Sequence, residues 1–443
     1  MILIGNGRMI TRDPNQPFIE DGCLVVDGPC ISDVGSTDAL RSKYPEASFV
    51  DAKGGLIMPG LINTHHHIYS ALARAMMLNN HNPSNFLEIL EGMWWKIDKH
   101  LTLEDVQLSA YVTYLECIKN GVTTVFDHHA SYGATAGSLF EISEVAKKLG
   151  IRTSLCYEVS DRHGHHAMVE AVKENVDFIQ AAKKDVTDMQ KGMMGLHASF
   201  TLSDTSLDYI ASQLPAETGY HVHVAEGIGD LHDALSQYNK RVVERLMDHE
   251  ILGPDTLAIH CIHVNQREMD LLKETDTMVV HNPESNMGNA VGFTPVLELM
   301  RRDIPLGLGT DGYTSDMLES MKVANILPKH QLCNPSVAWG EVPQMLFHNN
   351  AAIANRFYNK PLGILKEGAY ADVIIADYNP FTPLDGNNCN GHILFGLSGR
   401  HVTTTMINGK LVMKDRQVLG IDEEQLMAHS RELAVTLWEK MNR

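Results

Sequence analysis

The segment NTHHH places His65, His66 and His67 in succession at the end of an apolar run. On an extended strand, alternate side chains point the same way, so His65 and His67 share one face while His66 points to the other. Two imidazoles so placed form a two-point clamp for a transition metal, although a pair of polar strand residues would look the same. The segment HVHVAE supplies a further strand-end histidine, His223, with the carboxylate of Glu226 three residues on. In GLGTDG an apolar run delivers Asp311; an aspartate before glycine also suits a turn or a helix cap. Each piece has an ordinary reading. Their joint occurrence within one repeating pattern points to a metal site.

That pattern is an alternation. Apolar strand-like runs in LIMPGLINTHHH, GVTTVFDHH, IRTSLCYEV, GMMGLHAS, YHVHVAE, LAIHCIH, TMVVHNP and IPLGLGTD are separated by amphipathic stretches such as SLFEISEVAKKLG and QREMDLLKET. Eight strands alternating with helices over about 290 residues predict a (β/α)8 TIM barrel. His65, His67, Asp127, His197, His223, His260, His281 and Asp311 all fall at or near the carboxyl ends of these runs, the rim on which such barrels carry their chemistry.

The two ends of the chain have a different texture. DGCLVVDGPCISDVG predicts hairpins turning at its Asp-Gly steps, and TTTMINGKLVM predicts another at Asn408-Gly409. Residues 1–54 and 363–443 are therefore expected to form one small β-sandwich domain, and residues 55–362 the barrel. Leu426, Leu433, Leu437, Trp438 and Met441 recur at helical spacing, which predicts a closing helix.

Composition narrows the function. Over 443 residues, 36 Lys and Arg stand against 55 Asp and Glu, a formal charge of −19. Such a chain is poorly suited to neutralising nucleic-acid phosphates or docking on an anionic membrane. No apolar run approaches the ~18 residues that span a bilayer. Seven Cys scattered from Cys23 to Cys389 form no disulfide framework and fit a reduced cytoplasmic chain.

The order PGLINTHHH, HVHVAE, LAIHCIH, VVHNPESN and LGTDG resembles the amidohydrolase superfamily. The likeness is to the branch holding chlorohydrolases, guanine deaminase and adenosine-type deaminases with a composite β domain. It extends to the tail segment GILKEGAYADVIIAD and to NGK at Asn408–Lys410. The resemblance implies that His65, His67, His223 and Asp311 bind one divalent metal, most simply Zn2+, with Fe2+ or Mn2+ also compatible with these donors. Such an ion lowers the pKa of a bound water from about 15.7 towards about 7. Asp311 would take the water's proton, Glu226 would act as the acid/base, and His260 would orient the water or polarise the reacting group. Unrelated zinc nucleobase deaminases likewise pair activated water with a glutamate that is not a ligand. His221 lacks the H-x-x-E spacing of His223 and is expected to support the ligands. Binuclear relatives carry a carboxylated lysine at the fourth strand; GMMGLHAS has none, which implies a single metal.

The implied activity is removal of ammonia from an aminated N-heterocycle, purine- or pterin-like. Loss of another leaving group, opening of an imidazolone-type ring, or a catalytically idle metal scaffold are the alternatives. The partner is a small-molecule heterocycle, and the family's habit is a homodimer. His197 and His281 are candidate substrate contacts, though His197 equally suits a capping role and His281 a place behind the metal ligands. Glu116 could hold substrate hydroxyls or simply be a helix carboxylate. Asp127-His128-His129 adds polar groups to the pocket mouth. Between about Ile68 and Leu103 a long excursion carries Arg74, Trp94 and Trp95. A tryptophan there could stack on a flat ring or pack a roof over the barrel; Arg74 could read a carbonyl or form a surface ion pair. The cluster DRHGHH (Asp161–His166) has the composition of a metal site but lies in a glycine-containing loop. SNMGNAVG, Ser285–Gly292, lacks the Lys-Leu pair common in relatives, which removes a positive charge from the rim.

Overall fold

The computed structural model describes all 443 residues. The amino-terminal strands are β1 (Ile2–Ile10), β2 (Phe18–Asp27), β3 (Cys30–Ser36), β4 (Ser48–Asp51) and β5 (Leu56–Pro59). There follow β6 (Leu61–His66), β7 (Val122–His129), β8 (Arg152–Tyr157), β9 (Gln190–Gly192) and β10 (Met194–Ala198). Next come β11 (Tyr220–Val224), β12 (Leu257–His260), β13 (Met278–His281) and β14 (Leu306–Leu308). The chain ends with β15 (Val373–Ala376), β16 (Val402–Ile407), β17 (Lys410–Lys414) and β18 (Gln417–Val418).

The middle strands form two parallel sheets, β6-β7-β8-β9 and β10-β11-β12-β13-β14. Every residue of β6, β7, β8 and β10 through β14 is buried, as strands covered on both faces must be. The sheets meet at two seams. Val159 bridges to Leu196 beside β8 and β10, and His66 bridges to Asp311 beside β6 and β14. Asn350 stitches the second seam: its amide donates to the carbonyls of Ile62 and Leu308, both at 2.8 Å, and accepts from Leu308 N at 2.7 Å.

Strands from both termini also assemble, hydrogen-bonded into one mixed nine-stranded sheet. The reason lies in β1, whose register slips twice, between Ile4 and Gly7 and between Gly7 and Met9. Such bulges bend a strand, and β1 pairs with β4 at its start and with β5 near its end. The strand β5 lies beyond the boundary expected at residue 54, and belongs to this sheet through β1 and β15. Asp21-Gly22 is not a turn. Gly22 faces Gly7 across β1 and β2, where a Cβ would stand 2.4 Å from that of Met9. At Asn408-Gly409 the expected turn does form, with φ of 50° and 75°, the left-handed pair that a two-residue hairpin requires.

The closing helix spans Glu423–Met441 and buries Leu437 and Met441. These side chains share a core with Tyr69, Leu72, Ile97 and Leu101 of the excursion after β6, and Trp438 Nε1 donates to Leu72 O at 2.7 Å. The carboxyl terminus thus holds down the segment that covers the strand tips. No helix is long and apolar enough to cross a membrane.

Candidate active site

The side chains that end the parallel strands converge on one point. His67 Nδ1 lies 2.6 Å from His128 O, and His223 Nδ1 lies 2.8 Å from His197 O. A carbonyl only accepts, so each imidazole carries its proton on Nδ1 and presents a bare Nε2. Those two Nε2 atoms stand 3.2 Å apart. His67 Nε2 is also 3.2 Å from Asp311 Oδ1, and His65 Nε2 is 3.9 Å from the same oxygen. His65 Nε2 has no hydrogen-bond partner, although the ring is fully buried. His221 holds that ring through a 2.8 Å contact from its Nε2 to His65 Nδ1.

Bare nitrogen lone pairs facing one another beside a carboxylate repel unless a cation lies among them. This donor set, neutral imidazoles and one carboxylate, is what a divalent transition metal takes. The nitrogens of His65, His67 and His223 lie within 4.8 Å of one another, as do ligand atoms of His65, His260 and Asp311. Electrostatics agree. Burial, then neighbouring histidines, hold His65 well below the usual imidazole range, and burial followed by His67 does the same for His223. Burial pushes the Asp311 carboxyl upward, and positive charge among His67, His260 and His223 outweighs it and brings it to about 2.

Beside this cluster lies a second pair. His260 Nε2 is 3.4 Å from Glu226 Oε2 and 3.5 Å from Asp311 Oδ2. Its Nδ1 contacts Asn286 Oδ1 at 2.8 Å, and Asn286 is itself held by Thr294, whose hydroxyl returns to His260 O. Burial brings His260 down to about 4, against the pull of Asp311. Burial raises Glu226 well above the usual carboxylate range, helped by Asp311 and Asp230.

Local backbone geometry aims these groups. Ala225, His260, Cys261 and Asp311 all have positive φ, 47°, 73°, 48° and 57°, strain of on the order of 1–3 kcal/mol each for side-chain-bearing residues. Just before Asp311, Gly309 passes so close to β6 and the end of β13 that a Cβ would sit 2.5 Å from Asn282 Oδ1 and 2.9 Å from His65 Cβ.

A cavity of about 130 Å3 opens over the cluster, lined in part by His67, Trp94, Glu158, His197, Glu226 and Asp311. His197 and Trp94 thus line the cavity. Trp95 lies against the Arg162 guanidinium instead, 4.7 Å from its ring. Arg74 and Glu116 pair with each other and line an adjoining cavity of about 240 Å3. His281 is buried with neither ring nitrogen bonded, outside the cavity lining. Asp127 lies beneath the rim and accepts from Ile68 N at 2.7 Å. The DRHGHH segment serves the architecture: Asp161 accepts from Ser203 N and Ser206 Oγ, and Arg162 pairs with Glu158 and Asp98. Lys191, on β9, pairs with Asp188 at 2.7 Å and does not line the cavity.

Glu158 is the lining carboxylate that sequence reasoning missed. It directly follows β8, so a polar group ending an apolar run was the available signal.

Residues 56–412 match the amidohydrolase family. The chain is 31% identical to a 5′-deoxyadenosine deaminase of Methanosarcina mazei, covering 100% of this chain and 99% of that protein. It is 28% identical to a 5-methylthioadenosine/S-adenosylhomocysteine deaminase of Pelotomaculum thermopropionicum over 98% of both. The crystal structure of an adenosine deaminase from Xanthomonas campestris with bound zinc superposes with a TM-score of 0.86 at 22% identity, over 98% of each chain. The protein belongs to the amidohydrolase family. It is a hydrolase acting on carbon–nitrogen bonds.

Proposed function

We propose that the protein is a metal-dependent deaminase that converts an aminated purine, carried as an adenine nucleoside, to the oxo ring with release of ammonia. The observation that carries this reading is the convergence of bare histidine nitrogens on Asp311 beside the Glu226–His260 pair. The full-length likeness to adenine-nucleoside deaminases supports the choice of ring. In this reading the two parallel sheets, from Leu61 onward to about residue 362, are one (β/α)8 barrel in which β9 and β10 are the two halves of one interrupted strand, with the terminal strands and β5 as a second unit.

His65, His67, His223 and Asp311 would hold a single divalent ion, zinc in the simplest case, which supplies the Lewis acidity that makes water a nucleophile near neutral pH. His260 Nε2, its ring fixed through Nδ1 by Asn286, orients that water. Asp311 Oδ2 faces His260 and takes the water's proton. Glu226 gives a proton to the ring nitrogen next to the carbon under attack, Asp311 passes the proton it took to the departing amine, and the proton of the new hydroxyl returns to Glu226 as the carbonyl forms. The carbon gains oxygen and loses ammonia, with no redox change. Glu158 and Trp94 bound the ring's side of the cavity and limit bulk water.

Incubating zinc-loaded protein with adenine nucleosides, guanine, pterins, pyrimidines and triazines, while measuring ammonia and product mass, tests the proposal. Ammonia from an adenine nucleoside, with the product carrying oxygen in place of NH, is expected. Ammonia from none of the panel would overturn it, and chloride or alkylamine release would move the protein to a different hydrolase reaction.

A further inference from the structure

Phe86, Leu90, His197, His223 and Glu226 separate two spaces. One is the reaction cavity. The other is a chamber of about 580 Å3 that runs along the first turns of the helix Ile228–Tyr238. Because the spaces share these residues, the chamber adjoins the reaction cavity on the side of Glu226 and His223.

Its lining is apolar, with Phe86, Leu87, Leu90, Phe200 and Ile228 on the walls. Leu87 and Ile228 are 46% and 48% exposed, large apolar surfaces turned towards an open space. The charge is of one sign. Neither space is lined by a lysine or arginine; Glu226, held above the usual carboxylate range, and Glu158, paired with Arg162, add no free anion, while Asp230 and Asp233 line the chamber. The Asp230 carboxylate is spent on Phe200 N and Ala225 N, both at 3.0 Å, which leaves Asp233 facing the chamber. Nearby arginines are committed elsewhere: Arg162 to Glu158 and Asp98, Arg74 to Glu116, and Arg245 to Asp204 and the carbonyls of Ser199 and Leu202. The amino end of the helix offers partial positive charge, but Asp230 in its first turn offsets it.

We propose that this chamber is the subsite for the substituent borne by the substrate's ring, and that it takes an uncharged apolar or cationic group while turning away an anionic one. The proposal rests on the deaminase reading for the ring itself. Like charges brought together in a confined site cost enough to separate substrates by orders of magnitude.

The test uses the zinc-loaded full chain at pH 8. 5′-Deoxyadenosine, 5′-amino-5′-deoxyadenosine and adenosine 5′-monophosphate share one ring and differ in the charge of the substituent. We expect kcat/KM for the first two to agree within about tenfold and the phosphate to fall about 100-fold below them. Asp233→Lys should raise the ratio of phosphate to deoxynucleoside turnover by about tenfold, and Asp233→Asn by less. Calorimetric binding of 5′-deoxyinosine and inosine 5′-monophosphate gives the same preference without turnover. Turnover with no charge preference, a preference for the phosphate, or a ratio unmoved by both variants would overturn the chamber's role and leave the deaminase reading standing. Binding preference without ammonia from any nucleoside would overturn the deaminase reading and keep the chamber. Neither turnover nor binding would remove both.

Discussion

The two ends of strand β8 bury charge in opposite ways. At its start Arg152, fully buried, pairs with Asp372 at 3.2 Å and donates to Asp188 O at 2.6 Å. The ring of Tyr370 lies 4.4 Å from its guanidinium, and Asp372 also accepts from Asn408 N at 2.7 Å. This cluster ties the terminal sheet to the parallel strands, and its ions are paired in place. Beyond the other end, at the strand tips, His65 Nε2, His260 Nε2 and both nitrogens of His281 lack partners. Left-handed backbone occurs at both ends, at Asp188 and Asn408 beside Arg152 and at four residues of the tips, so strain does not separate them. Burial of charge serves architecture where each ion finds its complement within the chain. Where buried ligand-type nitrogens are left without one, the chain is arranged for something it does not itself contain.

Substitutions can break this contrast. The largest effect is expected at Asp311→Asn, which removes the one anion among the histidines. Turnover should fall by at least about 1,000-fold together with zinc content, while the denaturation midpoint in the zinc-free state stays near that of the parent. Glu226→Gln should separate these properties, keeping zinc by elemental analysis while kcat drops about 100- to 10,000-fold. Survival of turnover in that variant would show the assigned proton carrier to be wrong. At the paired end the outcome should invert. Asp372→Leu leaves Arg152 buried without its counter-ion, so unfolding free energy should fall by about 3–5 kcal/mol, read by urea denaturation, with kcat per folded molecule unaltered. A smaller effect is expected at Asn286→Ala, which frees His260 Nδ1: kcat should fall about 10- to 100-fold with zinc retained. Loss of zinc there would instead make His260 a ligand.

How far the sequence carried this contrast depended on which signals were local. A polar residue closing an apolar run marks a strand tip, so His65, His67, His223, His260 and Asp311 could be read as a group. The Asn408-Gly409 turn and the helix Glu423–Met441 also follow from their own residues. Partnerships across the fold could not be read. Glu158 ends an apolar run as the others do, yet its orientation comes from Arg162, which is in turn held by Asp98 some sixty positions earlier in the chain. Arg74 and Glu116 each suggest a substrate contact in isolation, and the fold gives them to each other. Asp21-Gly22 reads as a turn because only the opposing Gly7 and Met9 explain a glycine in mid-strand.

Asp230 lies between the two extremes and yields the finest test. Its carboxylate is satisfied by two backbone N–H groups, as at the paired end, but no cation lies against it. Burial raises its pKa to about 7, with the Ala225 and Phe200 N–H groups opposing, from about 3.9 in an unfolded chain. The folded state therefore holds this proton more tightly than the unfolded state does. By linkage, the stability gained is complete below about pH 4 and is lost as pH rises through about 7. Asp230→Asn removes the titration at the cost of one N–H contact, a fixed penalty at every pH. Subtracting the two stability curves should give a destabilisation by the variant that is greatest near pH 4 and shrinks towards pH 7, measured by urea denaturation of the zinc-free protein. A constant difference across that range would mean that the two N–H groups alone keep Asp230 ionised when folded, placing it with the fully paired charges at the base of the strands.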